Sequence, residues 1–304
     1  MSGTATGLQG AHNQEARNGL DRLLGELRPK LHRYCARMTG SVVDGEDVVQ
    51  EALVKAIEAF AKAGPLANPE GWLFRIAHNA ALDFLRRRAR QEAIYSDEDP
   101  DMIVDPSRAT EDRQVAATSL RAFMRLPVTQ RSSVILMDVL GYSLQEIGSV
   151  TESSLPTVKA ALHRGRERLR ELANEPDDLP VPALAEPERS LLSAYVDRFN
   201  ARDFDTIRDM LADEVRLELV NRLRLQGAKA VGNYFHNYSR IPDWHLVGGF
   251  VDRRPALLVL DPSDPAGAPS YFVLLEWADD RIGTIRDFRY ARYAIEGAEV
   301  YVPG

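Results

Sequence analysis

Between Asp44 and Phe60 the apolar residues Val49, Ala52, Leu53, Ala56, Ile57 and Phe60 recur at three- and four-residue steps. That spacing predicts a helix with one buried stripe, which must find another helix to lie against. The segment 63–71, AGPLANPEG, then breaks the pattern with proline and glycine. A second helical run extends from Trp72 to Gln91, in which Leu73, Ile76, Ala77, Ala80 and Phe84 are expected to be buried. The chain from about Leu20 to Ala93 therefore reads as all-helical.

Two interruptions divide the rest of the chain. Residues 96–112, SDEDPDMIVDPSRATED, are acidic and twice broken by proline, so they read as a linker. A second helical block spans about 113–173 and ends at the proline-rich stretch 175–188. Beyond it the texture changes. Two helices (about 187–201 and 204–212) precede a strand over 215–220, a helix near 228–239, and strand-like runs at about 245–260, 270–277 and 282–293. In the second of these runs Tyr271, Val273, Leu275 and Trp277 alternate with Phe272, Leu274 and Glu276. The expected fold class is multidomain, with two all-α domains and then an α+β domain. The expected boundaries are a disordered N-terminus at 1–17, helical domains at 18–93 and 113–174, linkers at 94–112 and 175–187, and the α+β domain at 188–304.

The formal net charge of −7 argues against a nucleic-acid partner until its distribution is considered. Residues 1–175 hold 23 basic and 24 acidic side chains, but seven of those acids lie between Asp97 and Asp112. Outside that connector the first half is basic, whereas 176–304 carries 15 basic and 21 acidic residues. Such a chain can meet phosphates with its first half. Cys35 is the single cysteine, which excludes an internal disulfide and leaves no cysteine metal cluster. We expect no cofactor and no metal. No run approaches the roughly 18 consecutive apolar residues of a membrane helix, and the start of the chain lacks a secretory pattern. The expectation is a cytoplasmic protein with no membrane partner.

In the second block, Ser143 and Glu146 stand at capping-box spacing, which predicts a helix start. Another helix starts near Ser154, with Pro156 in its first turn. Leu155, Val158, Leu162, Gly165, Leu169 and Leu172 fall on one face of it, and Lys159, His163, Arg166 and Arg170 on the other. A packed helix with a cationic outer stripe after a short helix and turn can enter a major groove; an amphipathic surface helix would show the same pattern. On the 44–60 helix the stripe leaves Asp47, Gln50, Glu51, Lys55 and Glu58 outside, a face that could dock a basic helix or only be solvated. On the next helix Arg75, Asn79, Leu82 and Arg86 share a face, with His78 beside it and Trp72 near its start. Aromatics and arginines so placed could grip single-stranded DNA, although cations also suit a helix C-terminus.

Four strings in order, DGEDVVQEALVKAIEAF, WLFRIAHNAALDFLRRR, LPVTQRSSVILMDVLGYSLQEI and LPTVKAALHRGRERL, resemble regions 2 and 4 of the extracytoplasmic-function (ECF) group of sigma-70-family factors. The resemblance covers roughly residues 18–173. It implies that region 2 captures an opened minus-ten element and that region 4 reads a duplex minus-thirty-five element. It places Asp47, Gln50 and Glu51 on the β′ clamp helices of core RNA polymerase, with the β flap as a second contact. Trp72, Arg75, His78, Asn79 and Arg86 would contact minus-ten DNA, with the 63–71 loop completing the pocket for a flipped base. Thr157, Lys159, Ala160, His163, Arg164 and Arg166 would face minus-thirty-five DNA. Two departures stand out. Thr151 and Glu152 occupy a turn that usually holds an apolar residue and glycine, and Ala160 and Ala161 leave few groups to read bases.

Beyond residue 188, VRLELVNRLRLQG, GNYFHNY and IRDFRYARY resemble the SnoaL-like cone fold found in polyketide cyclases and fused to some sigma factors. Cone folds enclose an apolar pocket. Tyr234, His236, Asp243, Trp244, His245 and Asp252 are candidates to line it, or are rim and core residues. The resemblance admits a small-molecule ligand and a separate anti-sigma factor as further partners. Two other readings compete. One is a one-component helix-turn-helix regulator with the cone as sensor; the other is a cyclase- or isomerase-like enzyme in the C-terminal domain. The region-2 strings have no use in the first, and the chain lacks a compact catalytic motif for the second. The expectation is a non-enzymatic sigma factor, its two helical domains loosely joined through 96–112 and tuned in cis by the C-terminal domain.

Overall fold

The computed structural model describes residues 4–63, 66–95, 119–175, 182–240, 244–264 and 267–303, with side-chain environments from Gly19 onward in the first helix. The chain divides into two compact units, Met1–Glu175 and Pro176–Gly304. Most of the expected linker at 94–112, and residues 176–181 of the one at 175–187, lie outside the described residues.

The first unit is helical. Helices α1 (Thr4–Thr39), α2 (Val42–Ala63) and α3 (Pro69–Tyr95) form a three-helix assembly around Leu31, Tyr34, Met38, Val49, Ala52, Leu73, Phe74 and Ala77, all at most 2% exposed. Helix α1 starts at Thr4, so most of the segment expected to be disordered is helical. Extending a helix already nucleated by packing adds one hydrogen bond per residue fixed, and nothing in 4–18 stops it. Helices α1 and α2 approach so closely that a Cβ on Gly45 would lie 2.5 Å from the Ala36 backbone nitrogen. Only glycine fits there. The buried stripe of α2 is narrower than expected, for Ile57 is 53% exposed. It lies about 80° around the helix from Val49, at the edge of the packed face.

Helices α4 (Leu120–Met124), α5 (Val128–Val134), a π-helical turn at Ile135–Val139, α6 (Leu144–Thr151) and α7 (Leu155–Ala173) complete the unit. They are not loosely tethered to the first three. Phe123, Leu126, Ile135, Leu136, Ile147 and Leu162 belong to the same continuous core as α1–α3. The Arg131 side chain is 5% exposed and donates to the Met38 carbonyl at 2.6 Å, and to the Leu126 and Met124 carbonyls at 3.0 and 3.1 Å. A second bridge runs through Glu70, which accepts from Lys30 at 2.5 Å and from the Tyr142 hydroxyl at 2.6 Å.

The second unit is α+β. Helices α8 (Glu188–Asn200), α9 (Phe204–Asp209) and α10 (Ala228–Ser239) pack on a seven-stranded sheet of order β2-β1-β6-β5-β4-β3-β7. The strands are β1 (Leu211–Leu219), β2 (Leu223–Gln226), β3 (His245–Val251), β4 (Arg254–Leu260), β5 (Pro269–Ala278), β6 (Arg281–Asp287) and β7 (Val300–Tyr301). Strands β1 and β6 pair in parallel; every other described pairing is antiparallel. The run 245–260, continuous in hydropathy, is a hairpin. Asp252 and Arg253 turn it with φ of +48° and +66°, a backbone that asparagine and glycine usually supply. Their absence hid the turn. The core between helices and sheet is aromatic, with Phe199 edge-on to Phe204, Tyr238 and Trp244 at 4.8–5.3 Å between ring centroids.

Candidate nucleic-acid and polymerase interfaces

On α2, Asp47 is exposed and Gln50 half-buried. Glu51 is held between helices: one oxygen lies 2.7 Å from Arg87 Nη2 on α3 and the other 2.7 Å from Lys55 Nζ. The Arg87 hydrogen bond holds the Glu51 carboxyl below its usual pKa, so it stays anionic. Val54 and Ile57, 51% and 53% exposed, continue this face beyond Gln50. Sequence reasoning missed both. The available signal was Val54, an apolar residue outside the buried stripe. Together these residues form a partly acidic, partly apolar exposed strip.

On α3, Arg75, Asn79 and Arg86 are exposed and Trp72 and Leu82 half-buried, so the fold leaves Arg75, Asn79 and Arg86 available. Asn68 caps the helix, its Oδ1 accepting from the Gly71 amide at 2.9 Å. Residues 64 and 65 of the preceding loop lie outside the described residues. His78 does not join the exposed face. It is 6% exposed, and its Nδ1 lies 2.7 Å from the Tyr34 hydroxyl. Burial pulls its pKa down to about 4. A neutral ring locked between helices serves packing.

The helix-turn-helix is built from local signals. Ser143 and Glu146 form a reciprocal capping box at the start of α6. Glu152 ends α6 in the left-handed conformation (φ 52°, ψ 38°), so the glycine usual in this turn is replaced by a residue adopting glycine's backbone. Ser154 caps α7, accepting from the Thr157 amide at 3.3 Å. Thr157, Lys159, His163 and Arg164 are exposed and Ala160 half-buried, while Val158, Ala161, Leu162, Gly165 and Leu169 face inward. A Cβ on Gly165 would lie 2.7 Å from Val134 Cγ2, which shows how tightly α7 crosses α5. Leu155, expected inside, is 41% exposed; in the first turn of α7 only part of it covers Gly148. Arg166 is turned aside. Its guanidinium grips both oxygens of Asp138 in the π-helical turn, the Nε–Oδ2 distance being 2.9 Å.

In the second unit the six candidate pocket residues do not converge. Tyr234 and Trp244 are core residues, 5% and 4% exposed, whereas His236 and His245 are exposed. Asp252 serves the β3–β4 turn, accepting from the Glu299 amide at 3.0 Å. Asp243 lies outside the described residues. The polar centre that does exist was not foreseen. Asp287, fully buried, accepts from the Tyr234 and Tyr238 hydroxyls, both at 2.7 Å to Oδ2, and from the Arg289 amide at 2.8 Å to Oδ1. Burial raises the Asp287 pKa, and the two tyrosine hydroxyls pull it back. The string IRDFRYARY held the aspartate, but nothing in it marks which tyrosines of α10 would reach it. Among the described residues there is no cluster of three or more groups able to hold a metal, and no helix is long and apolar enough to cross a membrane.

A two-lobed helical unit with a buried-core helix-turn-helix, a cationic α7 face and an arginine-rich α3 defines a DNA-binding protein of the sigma type. Residues 23–91 match the family Sigma-70 region 2, and residues 120–169 match Sigma-70, region 4. The ECF RNA polymerase sigma factor SigM of Mycobacterium tuberculosis is 33% identical over 166 residues, covering 54% of this chain and 82% of SigM. SigE of Mycolicibacterium smegmatis is 34% identical over 52% of this chain; that match spans 63% of SigE, less than two thirds of its length. SigG of M. tuberculosis, another ECF sigma factor, is 28% identical over 86% of this chain and 78% of its own. Among solved structures, that of the M. tuberculosis ECF sigma factor SigJ aligns over 86% of this chain and 93% of its own, at 17% identity and a TM-score of 0.33. The chain belongs to the ECF group of sigma-70-family RNA polymerase sigma factors, and its C-terminal unit is an α+β domain.

Proposed function

We propose that this chain directs core RNA polymerase to promoters through three surfaces. The Asp47–Gln50–Glu51 face of α2, extended by Val54 and Ile57, meets the β′ clamp helices, and region 4 meets the β flap. Trp72, Arg75, Asn79 and Arg86 on α3 hold the opened minus-ten strand, by phosphate neutralisation and stacking. Thr157, Lys159, His163 and Arg164 on α7 face the minus-thirty-five duplex, with Ala160 keeping the helix surface low enough to enter the groove. The observation that carries this reading is the separation of roles on α7, where the inward face is packed and the outward cations are exposed. His78 and Arg166 act instead by holding the frame. The C-terminal domain tunes the sigma activity in cis and binds rather than catalyses. A separate anti-sigma factor is compatible with this scheme.

Run-off transcription from a genomic promoter library, with core polymerase and with or without the protein, tests the reading. Transcripts that share a two-part upstream motif, and start only when the protein is added, support it; no initiation with the full chain refutes it. Removal of 176–304 should alter the transcript level while leaving the motif unchanged. An identical level and identical core affinity would end the regulatory assignment.

A further inference from the structure

Between the helices and the sheet the aromatic side chains of Tyr234, Tyr238, Trp244 and Tyr271 are buried, all at most 5% exposed. Free space lies elsewhere in the C-terminal unit. A cavity of about 450 Å3, open on one side, sits between α8 and the β3–β7 edge, within the range of small-molecule sites, about 300–1,000 Å3. Leu192 and Val196 line it from the helix, Gly248 and Phe250 from β3, and Tyr301 from β7.

The two glycines of β3 explain why the space exists. A Cβ on Gly249 would lie 2.6 Å from both Leu258 Cδ1 and the Tyr301 carbonyl oxygen, so packing demands glycine there. Gly248 is different. A Cβ on it would meet only Leu192 Cδ2, at 3.7 Å, an ordinary contact. Glycine inside a strand weakens it, by roughly 0.5–1 kcal/mol relative to alanine in regular structure. No close approach requires Gly248; its missing side chain leaves the space between α8 and the sheet unfilled.

Arg189 stands at the cavity. Its Nε is taken by Glu186 at 2.9 Å, while its two Nη groups have no partner among the described residues. The pair is 64% and 55% exposed, so it is loosely held and offers an incoming anion a free guanidinium edge. The Ser193 hydroxyl adds a second polar group on the same wall. We infer that this cavity binds an amphipathic organic anion, an aromatic or branched apolar body carrying one carboxylate or sulfonate, with the body between Leu192, Gly248 and Phe250 and the anion on Arg189.

The test uses the full chain and two fluorescent probes that share one body, 1-anilinonaphthalene-8-sulfonate and the uncharged N-phenyl-1-naphthylamine. Both should bind saturably at one site. Gly248→Leu, which fills the cavity, should weaken both by about tenfold or more, the scale of about 1.4 kcal/mol. Arg189→Ala should weaken the sulfonate several-fold and leave the neutral probe unchanged. If Gly248→Leu disturbs the fold, Ser193→Trp blocks the cavity from an exposed helix position and should have the same effect. Absence of saturable binding, or equal binding by folded variants that fill the cavity, overturns the assignment of a site. Equal loss of both probes in Arg189→Ala overturns the anion.

Discussion

Arg166 lies on the outward stripe of the recognition helix, yet its guanidinium is bound to Asp138, whose side chain is only 2% exposed. The pair ties α7 to the π-helical turn that comes after α5. Its consequence is that the cation reads no base while the pair holds. Arg166→Ala should strand a buried carboxylate and cost about 2–3 kcal/mol, below the 3–5 kcal/mol of a fully buried pair because Arg166 is a third exposed. Chemical denaturation checks this. The double variant Arg166→Ala with Asp138→Ala should recover part of the loss.

The exposed cations of α7 should behave in the opposite way. Lys159→Ala or Arg164→Ala should leave the denaturation midpoint within about 0.5 kcal/mol of the parent. Each should weaken duplex binding and lower the salt slope of the binding constant by about 1 if it contacts a phosphate. Titrations of holoenzyme against promoter duplex at several salt concentrations supply the slope. An unchanged slope in both variants removes α7 from the minus-thirty-five contact.

Val54 and Ile57 are exposed, with no element among the described residues covering them. Ile57→Ala should change stability by less than about 0.5 kcal/mol, and weaken core polymerase binding about as much as Asp47→Ala does. Competition for core polymerase measures the affinity, and circular dichroism verifies the helices.

Burial holds the His78 pKa at about 4, below the roughly 6.5 of an unfolded chain. Above pH 6.5 both states are neutral there and His78 adds no pH dependence. As the pH falls from about 6.5 towards 4 the unfolded state takes up a proton that the folded state refuses, so stability is lost, by up to about 3 kcal/mol. Below 4 the loss levels off. His78→Gln should therefore show a flatter stability profile than the parent between pH 6.5 and 4. Parallel profiles refute the burial argument.

Asp287 takes two hydroxyl hydrogen bonds on a single oxygen. Tyr238→Phe and Tyr234→Phe should each cost about 1–2 kcal/mol at neutral pH, because a buried acceptor loses a donor. The double variant should cost more than the sum, since the first loss leaves the carboxylate dependent on the second hydroxyl. Thermal unfolding of the full chain reads this through the C-terminal transition.

Local signals were legible wherever the chemistry is local. The Ser143–Glu146 box, the Ser154 cap and the apolar stripes of α2 and α7 are near-neighbour patterns, and the helices stand where those patterns place them. The α+β texture after residue 188 was likewise readable from its change of period. The β3–β4 turn was not, since Asp252 and Arg253 hold left-handed backbones without the glycine or asparagine that usually marks such a turn.

What the sequence by itself determined is most of the helices, the change to α+β after residue 188, the sigma-type strings and the residues available on each helical face. Only the tertiary structure decided which of those residues remain free. His78 and Arg166 carry DNA-contact residue types in DNA-contact strings, and are consumed by Tyr34 and Asp138, partners 44 and 28 positions away. Arg131 joins the two helical lobes across 93 positions through a backbone carbonyl, which no side-chain pattern can encode. The physical reason is common to all three. Helical periodicity specifies a direction from the helix axis, but whether a side chain meets solvent, a buried carboxylate or another helix's end depends on elements brought together by the whole core.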